Sequence, residues 1–471
     1  MKNKCDIGVI GLAVMGQNLV LNMESSGYNV AVYNRTKETT EKFLEKRTQG
    51  KNIYPGFDIE EFLALLSRPR KVMLMVKSGK PVDYVIDSML PYLEEGDIII
   101  DGGNSHFTDT DRRYKELAEK GISFLGTGIS GGEYGALHGP SIMPGGDQEA
   151  YQQVAEIFED IAAKTDHGSC VTYLGKKSAG HYVKMIHNGI EYGVMQVIAE
   201  IYDFMRKMMD LSAEEMSSIF EEWNEYHQSY LLEITHEILK RVDPETEKPI
   251  VDIILDEARQ KGTGKWSVQE SLELGVFIPT ITAAVNARNI SAYKQERLSF
   301  SKVFNAPESK KLDRDFLNVL EDALYLGVVN AYAEGMTLLQ EASQEYNYSL
   351  PLGEVARIWE NGCIIRSAFL EDVYEVYKDN YKITSMILSK EFRYNFQEKI
   401  PQLRLMLIAA KERGIPVPAM SATLDYFDSL RSVELPTNLI QAQRDYFGAH
   451  TYLRRDKEGT FHTEWQDIKN V

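Results

Sequence analysis

Three cysteines in 471 residues, Cys5, Cys170 and Cys363, are too few and too scattered for a disulfide framework, and none has a partner at C-x-x-C spacing. That scarcity points to a reducing compartment. Basic charge is also short: 52 Lys and Arg stand against 70 Asp and Glu, a formal net charge of −18. A polyanion partner would need local basic clusters to oppose that field, and none is found, so binding to nucleic acid or an anionic membrane is excluded as the main task. Long hydrophobic runs are missing as well. No stretch holds about 18 uninterrupted apolar residues, and Met1-Lys2-Asn3-Lys4-Cys5-Asp6 leads into a strand pattern without an apolar signal region. A cytoplasmic protein with no membrane span is expected. The nine histidines show no H-E-x-x-H and no ligand spacing with Cys or carboxylates, so no metal site is expected.

What is present organises the chain into parts. Its 471 residues exceed the roughly 250–300 at which a single core stops growing, so two or more domains are expected. Short apolar runs at 5–12, 28–33, 71–76 and 97–101 alternate with helical periods, the pattern of parallel βαβ units covered on both faces. Shorter runs at 123–126, 141–144 and 171–174 extend the sheet. After about Lys177 the apolar spacing stays near three and four through residue 430. From about Glu434 the chain is polar, with turn signals at Pro436 and Gly459 and no sustained period, and such a tail should be disordered or docked on something else. The expected class is α/β plus all-α: an N-terminal Rossmann-like doubly wound parallel sheet over 1–178, a large all-helical second domain over 179–433, and a C-terminal tail over 434–471. Asn188, Glu191-Tyr192-Gly193 and Met195 are echoed by Asn330, Ala333-Glu334-Gly335 and Thr337 at a constant offset of 142. The position matching Lys184 in that second copy is Leu326, which makes the second copy structural.

The chemistry-bearing residues fall into three groups. Gly11-Leu12-Ala13-Val14-Met15-Gly16 ends the first strand pattern and opens the first helix, the context a dinucleotide fingerprint requires, with Ala13 in place of the middle glycine. The next strand ends Asn34-Arg35-Thr36, with an arginine to pair a 2′-phosphate and no acid to repel it, so NADP is the expected cofactor. Glycine-rich turns follow later strands at Asp101-Gly102-Gly103-Asn104-Ser105 and Ser130-Gly131-Gly132, where open α/β sheets bind ligands. Finally, Lys184, His187, Asn188 and Glu191 lie at i, i+3, i+4 and i+7, so one helical face carries an amine, an imidazole, an amide and a carboxylate. A core face would carry Leu or Val there; this one carries a base, a positioning donor and an acid.

These motifs, together with Lys261-Gly262-Thr263-Gly264-Lys265-Trp266 and the stretch from Gln443 to His450, resemble the decarboxylating 6-phosphogluconate dehydrogenases of the β-hydroxyacid dehydrogenase superfamily along essentially the whole chain. The resemblance implies NADP-linked oxidation and decarboxylation of 6-phosphogluconate, in the pentose phosphate pathway or gluconate utilisation. Lys184 then matches the base and Glu191 the acid. It implies a cofactor set of Gly11, Leu12, Ala13, Val14, Met15, Gly16, Asn34, Arg35, Thr36, Val76, Lys77 and Asn104. Asn104, Ser130, Gly131, Gly132, His187 and Asn188 match positions lining the substrate's carboxylate and hydroxyls, and Tyr192, Lys261, Thr263 and Arg288 those around its phosphate. Arg444 and His450 match tail residues delivered by a neighbouring subunit, which implies a homodimer. A simple dehydrogenase for an unphosphorylated β-hydroxyacid would leave Lys261, Arg288 and Arg444 without a role.

Overall fold

The computed structural model describes residues 4–259, 262–307, 310–378 and 383–465. Lys261, expected at the phosphate, lies outside the described residues. The chain forms two compact units, Met1–Thr423 and Leu424–Val471.

The first unit opens with seven strands, β1 (Ile7–Ile10), β2 (Val30–Tyr33), β3 (Ile53–Pro55), β4 (Lys71–Leu74), β5 (Ile98–Asp101), β6 (Ser123–Ser130) and β7 (Ser141–Gly146), in the order β3-β2-β1-β4-β5-β6-β7. β1 to β6 pair in parallel. The strand order reverses at β1 and β4, and ligands bind outside the carboxyl ends of strands at such a point. The continuous apolar runs follow from cover on both faces. Val9, Met73, Ile98 and Ile100 enter one core, while Ile10, Val72, Leu74 and Ile99 enter the other.

The sheet departs from expectation in three places. β7 runs antiparallel to β6, with Ser130 opposite Ser141. β3, only three residues at the edge, is too short to show a period, and its Pro55 suits an edge strand. The run 171–174 is not a strand; it touches β7 through one isolated bridge, Ile142 with Val171. Ile142 N–H donates to Cys170 O and Gly146 N–H to Gly175 O, but Pro144 between them has no N–H to continue the ladder.

Beyond the sheet the first unit is helical. The helices Ala179–Met208, of 30 residues, and Leu317–Glu345, of 29, pack side by side. Both ends of the 142-residue echo therefore meet in space, and Leu326, at the position matching Lys184, is fully buried. Each long helix caps a proline-initiated helix of the opposite copy. Glu334 accepts from Thr280 and Ile281 N–H at 2.9 and 3.0 Å, at the start of helix Pro279–Ser291. Glu200 accepts from Ala419 and Met420 N–H, each at 2.9 Å, at the start of helix Pro418–Arg431. A carboxylate there satisfies orphan donors and complements the helix dipole.

The second unit contains the helix Thr437–Gly448 and a two-stranded hairpin, Tyr452–Leu453 with Thr460–Phe461. Of the two expectations for the tail, disorder or docking, disorder does not hold. Its organiser is Asp445, which is fully buried and accepts from Thr451 N–H (2.9 Å), His462 Nδ1 (2.9 Å), Thr463 N–H (3.0 Å) and Trp465 Nε1 (2.8 Å). Burial raises its carboxyl, but these bonds, His462 foremost, win and hold it at about 2. Such order is set by one polar hub and leaves no periodic trace in the sequence.

Glu334 also accepts from Asn330 Nδ2 at 2.9 Å, so Glu334→Ala strands three buried donors. Urea unfolding followed by fluorescence is expected to show a loss of about 2–4 kcal/mol, with a smaller loss for Glu334→Gln.

Candidate active site

The Ala179–Met208 helix lies against β6 and β7 at backbone distance. A Cβ on Gly180 would sit 2.3 Å from Gly126 O and from Met143 O, and one on Gly128 would sit 2.4 Å from Lys184 Cβ. Glycines at these positions bring the helix face onto the carboxyl end of β6. Lys184 is 5% exposed and His187 fully buried there.

Five side chains close into one network. Lys184 Nζ donates to Asn188 Oδ1 at 2.7 Å and lies 3.2 Å from His187 Nδ1, which is 2.9 Å from the same Oδ1. The other ring nitrogen, Nε2, is 3.0 Å from Ser130 Oγ and 2.8 Å from Cys363 Sγ. Burial pushes the Lys184 amine down from its ordinary value, with Glu191 and Cys363 opposing. Burial and the neighbouring Lys184 hold His187 well below 6.5, and burial lifts the Cys363 thiol to about 11. The site therefore favours a neutral amine and a neutral imidazole, the states suited to taking up a proton and relaying a hydrogen bond.

Glu191, half-buried, follows on the same face and is close enough to act on the Lys184 charge. Tyr192 carries the guanidinium of Arg288 3.3 Å above its ring centroid, a cation–π stack, and Arg288 Nη2 reaches Met195 Sδ at 3.5 Å. Helix Thr263–Glu273, with Thr263 buried in its first turn, comes within reach because Gly264 has no Cβ; one would lie 2.4 Å from the Tyr192 ring. Arg288 also borders a cleft of about 360 Å³ with Gln196, Leu255, Ala258 and Ser291.

At the other end of the sheet crevice, Gly11 has φ +104°, and a Cβ there would meet Met75 O at 2.4 Å. Leu12 N–H donates to Asn34 Oδ1 at 3.1 Å, and Asn34 Nδ2 to Thr36 O at 3.1 Å. The helix Val14–Ser25 begins at Ala13, whose side chain cannot cap it, so its first N–H groups face outward past Val14, Met15 and Gly16. Arg35, Thr36 and Lys77 are exposed, Val76 is half-buried, and Asn104 stands exposed after β5. Arg35 pairs with no carboxylate among the described residues. A free helix N-terminus beside a close-packed glycine turn fits a dinucleotide pyrophosphate. Arg444 and His450 belong to the second unit, where Arg444 Nη1 donates to Gln441 Oε1 at 3.0 Å and His450 packs against Phe447.

Sequence reasoning missed two supports. The segment 361–364 anchors the Ser130 turn: Ser141 N–H donates to Gly362 O (2.8 Å), Asn361 Nδ2 to Lys164 O (3.0 Å) and Ile364 N–H to Ser130 Oγ (3.4 Å). The dipeptide Asn361-Gly362 was a legible turn signal, but nothing in it pointed to His187. The second support is the buried set at Asp101, whose carboxylate accepts from Gly103 N–H (3.0 Å) and Ser105 Oγ (2.6 Å) with Arg113 alongside at 3.6 Å. His181 Nε2 donates to Asp101 O at 3.0 Å, tying the glycine turn to the Lys184 helix.

Two family models divide the chain between them. The 6-phosphogluconate dehydrogenase C-terminal domain matches residues 180–465, and the NAD binding domain of 6-phosphogluconate dehydrogenase matches residues 6–175. The chain belongs to the 6-phosphogluconate dehydrogenase family. It is 53% identical over 464 residues to a decarboxylating 6-phosphogluconate dehydrogenase of Synechococcus elongatus, covering 97% of this chain and 98% of that one. It is 51% identical to the NADP(+)-dependent, decarboxylating enzyme of Bacillus subtilis, covering 98% and 99%. Its fold matches Plasmodium falciparum 6-phosphogluconate dehydrogenase, a protein studied with its cofactor NADP+ and its substrate 6-phosphogluconate, with a TM-score of 0.95, 46% identity, and coverage of 98% and 100%. Among the described residues no helix is long and apolar enough to cross a membrane, and no group of His, Cys, Asp and Glu could hold a metal ion.

Because a side chain at Gly128 must displace Lys184, Gly128→Ala is expected to lower turnover about a hundredfold, as an ångström of misplacement can. Dinucleotide binding, followed by fluorescence titration, should stay as in the wild type.

Proposed function

We propose that this chain oxidises and decarboxylates 6-phospho-D-gluconate to D-ribulose 5-phosphate and carbon dioxide with reduction of NADP, using Lys184 as general base and Glu191 as general acid. The observation that carries the reading is the buried Lys184 amine, held by Asn188 and His187 on a helix face that continues to Glu191. Gly11–Gly16 would hold the pyrophosphate of NADP and Asn34, Arg35 and Thr36 its 2′-phosphate, and the bound cofactor would supply the hydride acceptor. Val76, Lys77 and Asn104 complete its surroundings.

Lys184, neutral because its ammonium is desolvated, removes the proton of the substrate 3-hydroxyl as the carbon is oxidised. The resulting ammonium then donates to the ketone oxygen and stabilises the negative charge that forms there as carbon dioxide leaves. Glu191 delivers a proton to the carbon left behind. Ser130, Gly131, Gly132, Asn104, His187 and Asn188 hold the carboxylate and hydroxyls; Tyr192, Lys261, Thr263 and Arg288 hold the phosphate. The Tyr192 stack fixes the Arg288 plane while leaving its N–H edge for phosphate.

The chain works as three parts, a cofactor domain 1–178, a substrate and dimerisation domain 179–433 and a tail 434–471 that brings Arg444 and His450 to a neighbouring subunit. The exposed apolar side chains Leu439, Phe447 and Leu453 on the tail, and Phe300 and Val303 on helix Lys294–Val303, support a homodimer. Three free buried thiols suit a cytoplasmic enzyme of the pentose phosphate pathway or gluconate utilisation.

A spectrophotometric assay with 6-phosphogluconate and each nicotinamide cofactor, with evolved gas trapped, tests the reaction; a stable keto acid without carbon dioxide would refute it. A neutral base requires kcat/KM to rise with pH through the Lys184 ionisation, at a pH below the usual 10.5 of lysine. Lys184→Ala should abolish this limb and turnover together while NADP still binds. Arg35→Glu should weaken NADP by about 2–3 kcal/mol and leave NAD nearly unchanged, because it removes a charge-assisted pair and adds repulsion. Equal loss for both cofactors would contradict the 2′-phosphate assignment.

A further inference from the structure

The direction of hydrogen bonding around His187 can be worked out from Asn188. Its Oδ1 is an acceptor and takes a hydrogen bond from the Lys184 amine at 2.7 Å. His187 Nδ1, 2.9 Å from the same oxygen, can bond to it only as an N–H donor. The neutral imidazole therefore carries its proton on Nδ1, and Nε2 presents a bare lone pair. Two donors reach that lone pair, Cys363 Sγ at 2.8 Å and Ser130 Oγ at 3.0 Å, and one suffices. Both groups are buried, the thiol 1% and the serine 3% exposed, and of the two only the serine belongs to the Ser130-Gly131-Gly132 turn. The groups facing the ring are Lys184 and Asn188 on its own helix, Ser130 on β6, Cys363 on the 361–364 segment, and the Trp359 ring with its centroid 5.7 Å away.

We infer that Cys363 is a positioning residue: its S–H donates to His187 Nε2, which fixes the Nδ1–H tautomer and leaves the Ser130 hydroxyl proton free for the substrate carboxylate. The substrate half of this statement rests on the function proposed above. Burial keeps the thiol protonated, as a donor must be. The chain of bonds then runs Cys363 to His187 to Asn188, with Lys184 donating to the same oxygen and keeping its lone pair for the reaction.

Full-length protein labelled with 15N-histidine, with the His187 signal assigned by its loss in His187→Gln, is expected to show a neutral ring protonated on Nδ1. In Cys363→Ala the Ser130 hydroxyl turns to Nε2, and KM for 6-phosphogluconate should rise about fivefold, the worth of one hydrogen bond, with kcat and the KM for NADP unchanged. Cys363→Ser, which restores an O–H donor, should return KM to near the wild-type value. A proton on Nε2, an unchanged KM in Cys363→Ala, or equal loss in the alanine and serine variants would overturn the inference. Absence of wild-type turnover with 6-phosphogluconate would instead overturn the reaction, while a proton found on Nε2 would overturn the assignment of Cys363 whatever the turnover.

Discussion

Everything at this site depends on a helix resting directly on a sheet. Backbone contact between the Ala179–Met208 helix and β6–β7 is possible because residues 126, 128, 145 and 180 are all glycine, each placed where a Cβ would fall within 3.0 Å of the opposing chain. That contact excludes water from the base of Lys184. It also sets the helix face square to the carboxyl end of β6, so a turn from the sheet and three side chains from the helix share one network. An amine on a surface helix would stay a solvated cation; here burial strips much of the hydration of Lys184 and pushes its pKa down.

Much of this was legible in the sequence because it is written as periodicity and as glycine. The alternation of apolar runs and helical periods marked β1, β2, β4 and β5, and the four polar residues spaced i, i+3, i+4 and i+7 marked the helix face that carries the Lys184 network. Where the sequence reading failed, the cause was a contact between distant residues or a missing donor. Pro144, which accepts from Leu174 N–H but has no N–H to give, interrupts the ladder between β7 and the apolar run 171–174. Asp445 ordered a tail whose composition suggested none.

Cys363 is the clearest case of what a single sequence cannot show. It lies 176 residues from His187, within an unremarkable segment, and its relevance comes only from the fold that places its sulfur at the imidazole edge. Asp101 is different. Its motif was visible as a ligand-binding turn, but its buried carboxylate serves the loop backbone, Ser105 and Arg113. The turn is thus held from beneath by the aspartate, which leaves Asn104 at the surface.

The crossed caps of the helical region make its two long helices depend on each other's neighbourhoods. Glu200 from one long helix serves the start of Pro418–Arg431, and Glu334 from the other serves the start of Pro279–Ser291. Neither half supplies its own acceptor. Removing either long helix would leave amides at the start of a proline-initiated helix buried without their acceptor.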